Sequence, residues 1–143
     1  MNVAGILKVK GNDIITVLPS DSISAVASIL GERRIGAVLV VDGEGRLQGL
    51  LSERDIVRAL AESGGACLDF QVRDLMTTNL VTISPADSID RVMALMTEKR
   101  IRHLPVLDDD RLAGFISIGD VVKSRIDEVE REAAALRDYI ATG

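Results

Sequence analysis

The chain repeats itself. Residues 15–58 align with residues 81–123 at an offset of 66, falling to 65 once Gly45 is skipped, and 17 of the 43 aligned pairs are identical. Average composition would give roughly 3 identities by chance, so duplication of one unit explains the match. The identities are patterned: T-x-x-P-x-D-S-I begins at Thr16 and Thr82, R-I at Arg34 and Arg100, and G-x-x-S-x-x-D at Gly49 and Gly114. Upstream, V-A-G-I-L at Val3 echoes V-R-D-L-M at Val72, which extends each unit back to a short lead-in helix. The domain division that follows is residues 1–62 for the first repeat, 63–71 for a polar, Gly64-Gly65-containing connection, 72–123 for the second repeat and 124–143 for a helical extension.

Hydrophobic period switches in the same order in each copy. Ile23, Val26, Ala27 and Leu30 fall at i, i+3, i+4 and i+7, as do Ile89, Val92, Met93 and Met96, which predicts two amphipathic helices with the methionines filling core. Each opens on P-x-D-S, whose Asp or Ser can cap the helix. Apolar runs at 37–41 and 104–107 read as buried strands, followed by acidic or glycine turns and second runs at 47–51 and 112–116, the pattern of a hairpin. A helix then starts at Ser52 or Ser117. A unit this small leaves one sheet face uncovered, so the copies are expected to pack on each other.

Composition narrows the function classes. A net charge of −5 argues against neutralising many nucleic-acid phosphates or anionic lipid headgroups. No apolar run approaches the ~20 residues of a membrane span, and the N-terminus lacks a charged leader followed by an apolar signal, so a cytoplasmic location is the expectation. Cys67 is the only cysteine and His103 the only histidine. Disulfides, thiolate clusters, histidine metal sites and catalytic triads therefore lack partners. The Asp108-Asp109-Asp110 turn lacks the spaced oxygens of a calcium loop.

Chemistry concentrates at S-x-x-D. Ser52 and Ser117 lie at strand-to-helix turns, where free N–H groups and the helix dipole favour an anion. Asp55 and Asp120 follow one helical turn later, and an ionised carboxylate accepts both hydroxyls of a ribose diol. The same spacing is also a capping box, and the two roles can coexist. Arg54 stands where the second copy has Gly119: the arginine can reach a phosphate, whereas the glycine removes a side chain beside the motif. Arg34 and Arg100 fit either an ion pair with Glu32 or Glu98 or a phosphate contact. Arg102 and His103, with no basic counterparts in Gly36 and Ala37, are candidate phosphate ligands of the second copy.

The mid-unit I-x-x-h-x-V-x-D, where h is apolar, together with G-h-h-S-x-x-D resembles the cystathionine-β-synthase (CBS) domain over nearly the whole chain. The second copy, I-R-H-L-P-V-L-D with G-F-I-S-I-G-D-V-V, is the closer match. In the first, Leu39 stands where the family often has the proline supplied in the second by Pro105. The resemblance implies an α/β (α+β) fold of two β-α-β-β-α-type repeats, each a small three-stranded sheet flanked by helices, related by a pseudo-two-fold, with a C-terminal helix beyond. It also implies adenosine-type ligands in clefts between the copies. Carried over residue by residue, the binding candidates are Ser117, Asp120, Arg102, His103, Leu104, Pro105, Gly119 and Thr82 in the second copy, and Ser52, Asp55, Arg54, Ala37, Val38 and Thr16 in the first.

The resulting expectation is a non-catalytic regulatory module that binds AMP, ATP or NAD and signals to a separate, unidentified protein. The competing reading is a dimerising scaffold whose clefts have decayed. Beyond Asp120, Val122, Ile126, Val129, Ala133, Leu136 and Ile140 recur at spacings of four and three, a heptad seam that predicts a homodimer.

Overall fold

A computed structural model describes residues 1–11 and 13–142. The element order is α1 (Val3–Lys10), β1 (Thr16–Val17), α2 (Ile23–Arg33), β2 (Ala37–Val41), β3 (Leu47–Ser52), α3 (Glu53–Ser63), a 3-10 turn (Gly64–Asp69), α4 (Val72–Leu75), α5 (Ile89–Lys99), β4 (His103–Asp108), β5 (Arg111–Ser117) and α6 (Ile118–Thr142). The mixed α/β class and the repeated helix–strand–strand–helix order follow the sequence pattern. No helix among the described residues is long and apolar enough to cross a membrane.

Two compact units form, and neither is a contiguous stretch of chain. One comprises Met1–Asn12, Thr82–Asp108 and Ala113–Gly143; the other comprises Asp13–Val81 with Asp109–Leu112. The lead-in helices are therefore exchanged: α1, which precedes the first repeat, packs with the second, and α4, which precedes the second, packs with the first.

In the unit built on the first repeat, β1 pairs parallel with β2, and β2 pairs antiparallel with β3, placing Thr16 beside Leu39 and Ala37 beside Ser52. Val17, Ile23, Val26, Leu30, Val38, Val40, Leu51, Ile56 and Val72 make its core. Every residue of β2 is buried, as a continuous Ala-Val-Leu-Val-Val run suits. Residues 63–71, read as a polar connection, include an ordered 3-10 turn that buries Cys67 completely. The other unit repeats this plan with a shorter first strand: β4 and β5 pair, and Ile83 makes one parallel bridge to Val106. Val3, Ile6, Ile83, Ile89, Val92, Met96, Leu104, Val106, Ile116 and Val121 are among its buried apolar residues.

Local sequence explains the helix ends. The hydroxyls of Ser22 and Ser88 accept the N–H groups of Ala25 and Arg91, each at 3.1 Å, while Asp21 and Asp87 accept from Leu18 and Ser84 in the preceding turns, each at 2.8 Å. The two residues of D-S thus divide the work, serine capping and aspartate closing the turn. Losing one such cap costs ~1 kcal/mol, so Ser22→Ala and Ser88→Ala should each lower the urea unfolding midpoint by that equivalent.

Arg34 and Arg100 both end their helices in the left-handed region, at φ 54°. Their N–H groups close on Leu30 and Met96. Among the described residues neither arginine makes an ion pair, so the bridges to Glu32 and Glu98, one of the two alternatives, do not form; the shared feature is a backbone reversal. Asp109 and Asp110 also lie at positive φ, 49° and 63°, as a two-residue hairpin turn of primed type requires. In the first copy Asp42 braces the longer turn by accepting from Arg46 and Glu44, and the Arg46 backbone hydrogen bond leads in holding its carboxyl below the ordinary range.

Candidate functional site

Each S-x-x-D motif folds as a strand-to-helix turn with the same geometry. In the first copy, the Ser52 N–H and hydroxyl both donate to Asp55 Oδ2, at 2.9 and 3.0 Å, while the Asp55 N–H donates back to Ser52 Oγ at 3.3 Å. In the second, Ser117 donates to Asp120 Oδ2 at 2.9 and 3.1 Å, and the Asp120 N–H returns to Ser117 Oγ at 3.2 Å. Both are reciprocal capping boxes. The capping role is real, yet it occupies one carboxylate oxygen. In both motifs the hydrogen bonds of the cap converge on Oδ2, and both side chains are half-buried. A carboxylate held rigid through one oxygen beside helix N–H groups, with its second oxygen not used by the cap, is arranged to accept hydroxyl protons.

Most of the remaining candidates gather around these turns. In the first copy, Ala37 is the strand partner of Ser52, Val38 follows it, and Thr16 pairs one residue further on with Leu39. Arg54 is exposed on the first turn of α3. In the second copy, the Arg102 carbonyl accepts the Ile118 N–H at 2.8 Å, which pins the backbone beside Ser117 and leaves the arginine side chain exposed. The His103 ring lies against Phe115, centroids 5.6 Å apart and tilted 34°. Leu104 and Pro105 are buried in β4, so they contribute backbone and shape. The Pro105 carbonyl accepts the Ile83 N–H, which brings exposed Thr82 alongside that strand. Gly119 is exposed, and an added Cβ would sit 3.6 Å from Ser117 Oγ, an ordinary contact, so the protein's own packing does not require glycine there.

One participant was not legible in the sequence. Lys10, at the end of α1, places its Nζ 2.7 Å from Asp120 Oδ2 and donates to the Phe115 carbonyl, also at 2.7 Å. Burial alone would raise the Asp120 carboxyl pKa, but the Lys10 and Ser117 hydrogen bonds outweigh it and hold the group below its ordinary value. No local motif signals this pair, because its members are 110 residues apart. Beside it lies a cavity of about 270 Å³ bordered by Ile6, Val9, Lys10, Asp120, Lys123 and Arg131 among others. Among the described residues Asp55 makes no such ion pair, so the two motifs share geometry and differ in charge.

The depressed Asp120 pKa carries a sign. A carboxyl that ionises more readily when folded contributes stability that is fully present above its unfolded value of about 3.9, and that is lost as pH falls through the lower folded value. In Lys10→Met, the Asp120 carboxyl should titrate at higher pH, as read by carboxyl-carbon NMR; an unmoved midpoint would show that Lys10 does not hold it.

The CBS domain family pattern matches residues 8–62 and again 72–127. A CBS-domain-containing protein from Agrobacterium tumefaciens, ATU1752, has 45% sequence identity and superposes with a TM-score of 0.85, covering 87% of this chain and 99% of its own. The CBS domain pair of MJ0100, solved in complex with 5-methylthioadenosine and S-adenosyl-L-methionine, has 28% identity and a TM-score of 0.79, over 90% of this chain and 98% of its own. The Arabidopsis thaliana mitochondrial protein CBSX3 is 36% identical over 127 residues, 86% of this chain; the match spans 62% of that relative's length. The doubled motif, the doubled geometry and the doubled family match agree: the chain belongs to the CBS-domain family and carries the domain as a tandem pair.

Proposed function

We propose that the chain is a non-catalytic sensor of adenine nucleotides, with AMP as the first candidate and ATP or NAD as alternatives. In this reading the ribose diol is bound at the S-x-x-D turns and the phosphate lies toward the helix N-termini. The observation that carries it is the half-buried carboxylate fixed in the same way at both turns, its cap confined to one oxygen. The adenosine-type ligands of the MJ0100 pair support the same chemical class. Duplication of the serine and aspartate also suits binding better than catalysis, which needs one nucleophile and one base in distinct roles.

Binding regulates only if the ligand favours one arrangement of the protein over another, and a difference of ~1–3 kcal/mol is ordinary for such coupling. The reader of that change is a separate protein, and the chain acts as a homodimer. Calorimetric titration of the whole chain with AMP, ATP, NAD and S-adenosylmethionine tests the reading. Heat and a raised melting temperature with at least one are expected; silence with all four leaves the scaffold reading in its place.

A further inference from the structure

Helix α6 runs from Ile118 to Thr142, and its two sides have different fates. Val121 and Ser124 are buried, at 1% and 7% exposure. The stripe Val122, Ile126, Val129, Ala133, Leu136 and Ile140 is exposed along its whole length. At about 100° per residue, the buried pair lies roughly 100° to 160° around the helix from that stripe. The body of the unit therefore grips one face and leaves an apolar seam pointing away. Written as heptads, Ile126, Ala133 and Ile140 take position a, while Val122, Val129 and Leu136 take d.

The flanking charges select both the occupant and its direction. Positions e are Lys123, Glu130 and Arg137, and positions g are Arg125, Glu132 and Tyr139. In a parallel, in-register pair, each g residue meets the e residue five positions on in the other helix. That sets Glu132 against Arg137 and Arg125 against Glu130, opposite charges in both cases. An antiparallel pair with full overlap instead sets Glu130 against Glu130, Glu132 against its own copy and Lys123 against Arg137, all like charges. Arg125 is already engaged within its own chain, 3.3 Å from Glu128 and 3.7 Å from Asp90, so the Glu132–Arg137 pair bears most of this selection.

We propose that the seam of α6 zips with the same helix of a second copy as a parallel, in-register, two-stranded coiled coil. This deepens the homodimer of the proposed function, and it stands apart from the choice of nucleotide. The two copies then project from the same end of the zipper, so any change at one body reaches the other through a shared rigid element.

Leu136→Cys in the full chain tests orientation directly. In the parallel pair, position 136 faces itself and a disulfide is within reach; in the antiparallel one it faces 126, leaving the two copies of 136 about 15 Å apart, too far to bridge. Cys67 is buried, so the new thiol is the accessible one. Mild oxidation should convert most of the protein to a covalent dimer on a non-reducing gel. Arg137→Glu should abolish most of that product, and the charge swap Glu132→Arg with Arg137→Glu should restore it. Sedimentation of the unsubstituted chain separates the layers of the argument. A monomer overturns both this proposal and the homodimer; a dimer without the Leu136→Cys disulfide, or efficient mixed bridging of Ile126→Cys with Leu136→Cys, overturns the parallel zipper while leaving the homodimer; a charge swap without rescue overturns the role of the flanking charges in setting its direction.

Discussion

Gly49→Ala destabilises the chain by about 1–3 kcal/mol, the usual cost of forcing an extra carbon into a packed site. An added Cβ would stand 2.9 Å from the Thr77 carbonyl oxygen and 2.9 Å from the Met76 sulfur. Met76 can turn away. The carbonyl cannot, because Leu50 and Thr77 exchange both backbone hydrogen bonds, at 3.0 and 2.9 Å, and moving it breaks the bridge that docks the segment after α4 on β3. The gain from a stiffer unfolded chain, about 0.4–1 kcal/mol for glycine to alanine, offsets only part of this.

The equivalent glycine, Gly114, is a sharper control. An added Cβ there would collide with Leu7 Cδ2, and the nearest atoms all belong to that side chain. Gly114→Ala should therefore be partly rescued by Leu7→Ala, whereas Gly49→Ala should gain little from Met76→Ala. Urea unfolding of the four variants measures this, and equal rescue at both sites would contradict the assignment of the Thr77 carbonyl as the obstacle. Leu7 and Met76 occupy matching places in the repeat, so the glycine that opens each G-x-x-S-x-x-D serves to admit the lead-in segment of the other copy.

Asp120→Ala should weaken binding of the nucleotide found by titration by about 10- to 100-fold, the loss of one charge-assisted hydrogen bond of ~1.5–3 kcal/mol. It should also lower stability, because Oδ2 accepts from Ser117 twice and from Lys10. Loss of the cap costs ~0.5–2 kcal/mol, and the exposed ion pair adds at most ~1 kcal/mol. Asp120→Asn separates the two effects: an amide oxygen can still accept the Ser117 N–H, so stability should largely return, while affinity stays low because the charge is gone. Asp55→Ala should act on the first site alone. Calorimetry on each variant, read beside its thermal melt, decides the matter; unchanged affinity in Asp120→Ala with a large fall in melting temperature would reduce the motif to a cap.

The repeat, the helix and strand order and the S-x-x-D turns were legible because each rests on local rules. Ser22 and Ser88 cap where a P-x-D-S sequence should, and Ala37–Val41 is a buried strand because its run is unbroken. Where sequence reasoning stopped at the correspondence of Arg34 and Arg100, the cause proved to be backbone: a left-handed helix end has no charge signature to read.

What the sequence determined by itself was the content of each unit: period, caps, turns and the paired serine and aspartate, all set by residues within a few positions of one another. The tertiary structure decided which lead-in helix joins which repeat, and hence that Leu7 fills the space at Gly114 and that Lys10 reaches Asp120. The physical reason is that both lead-in helices carry the same kind of apolar face. Only packing in three dimensions distinguishes the pocket each one fills, and the charge it carries to the carboxylate there follows from that choice.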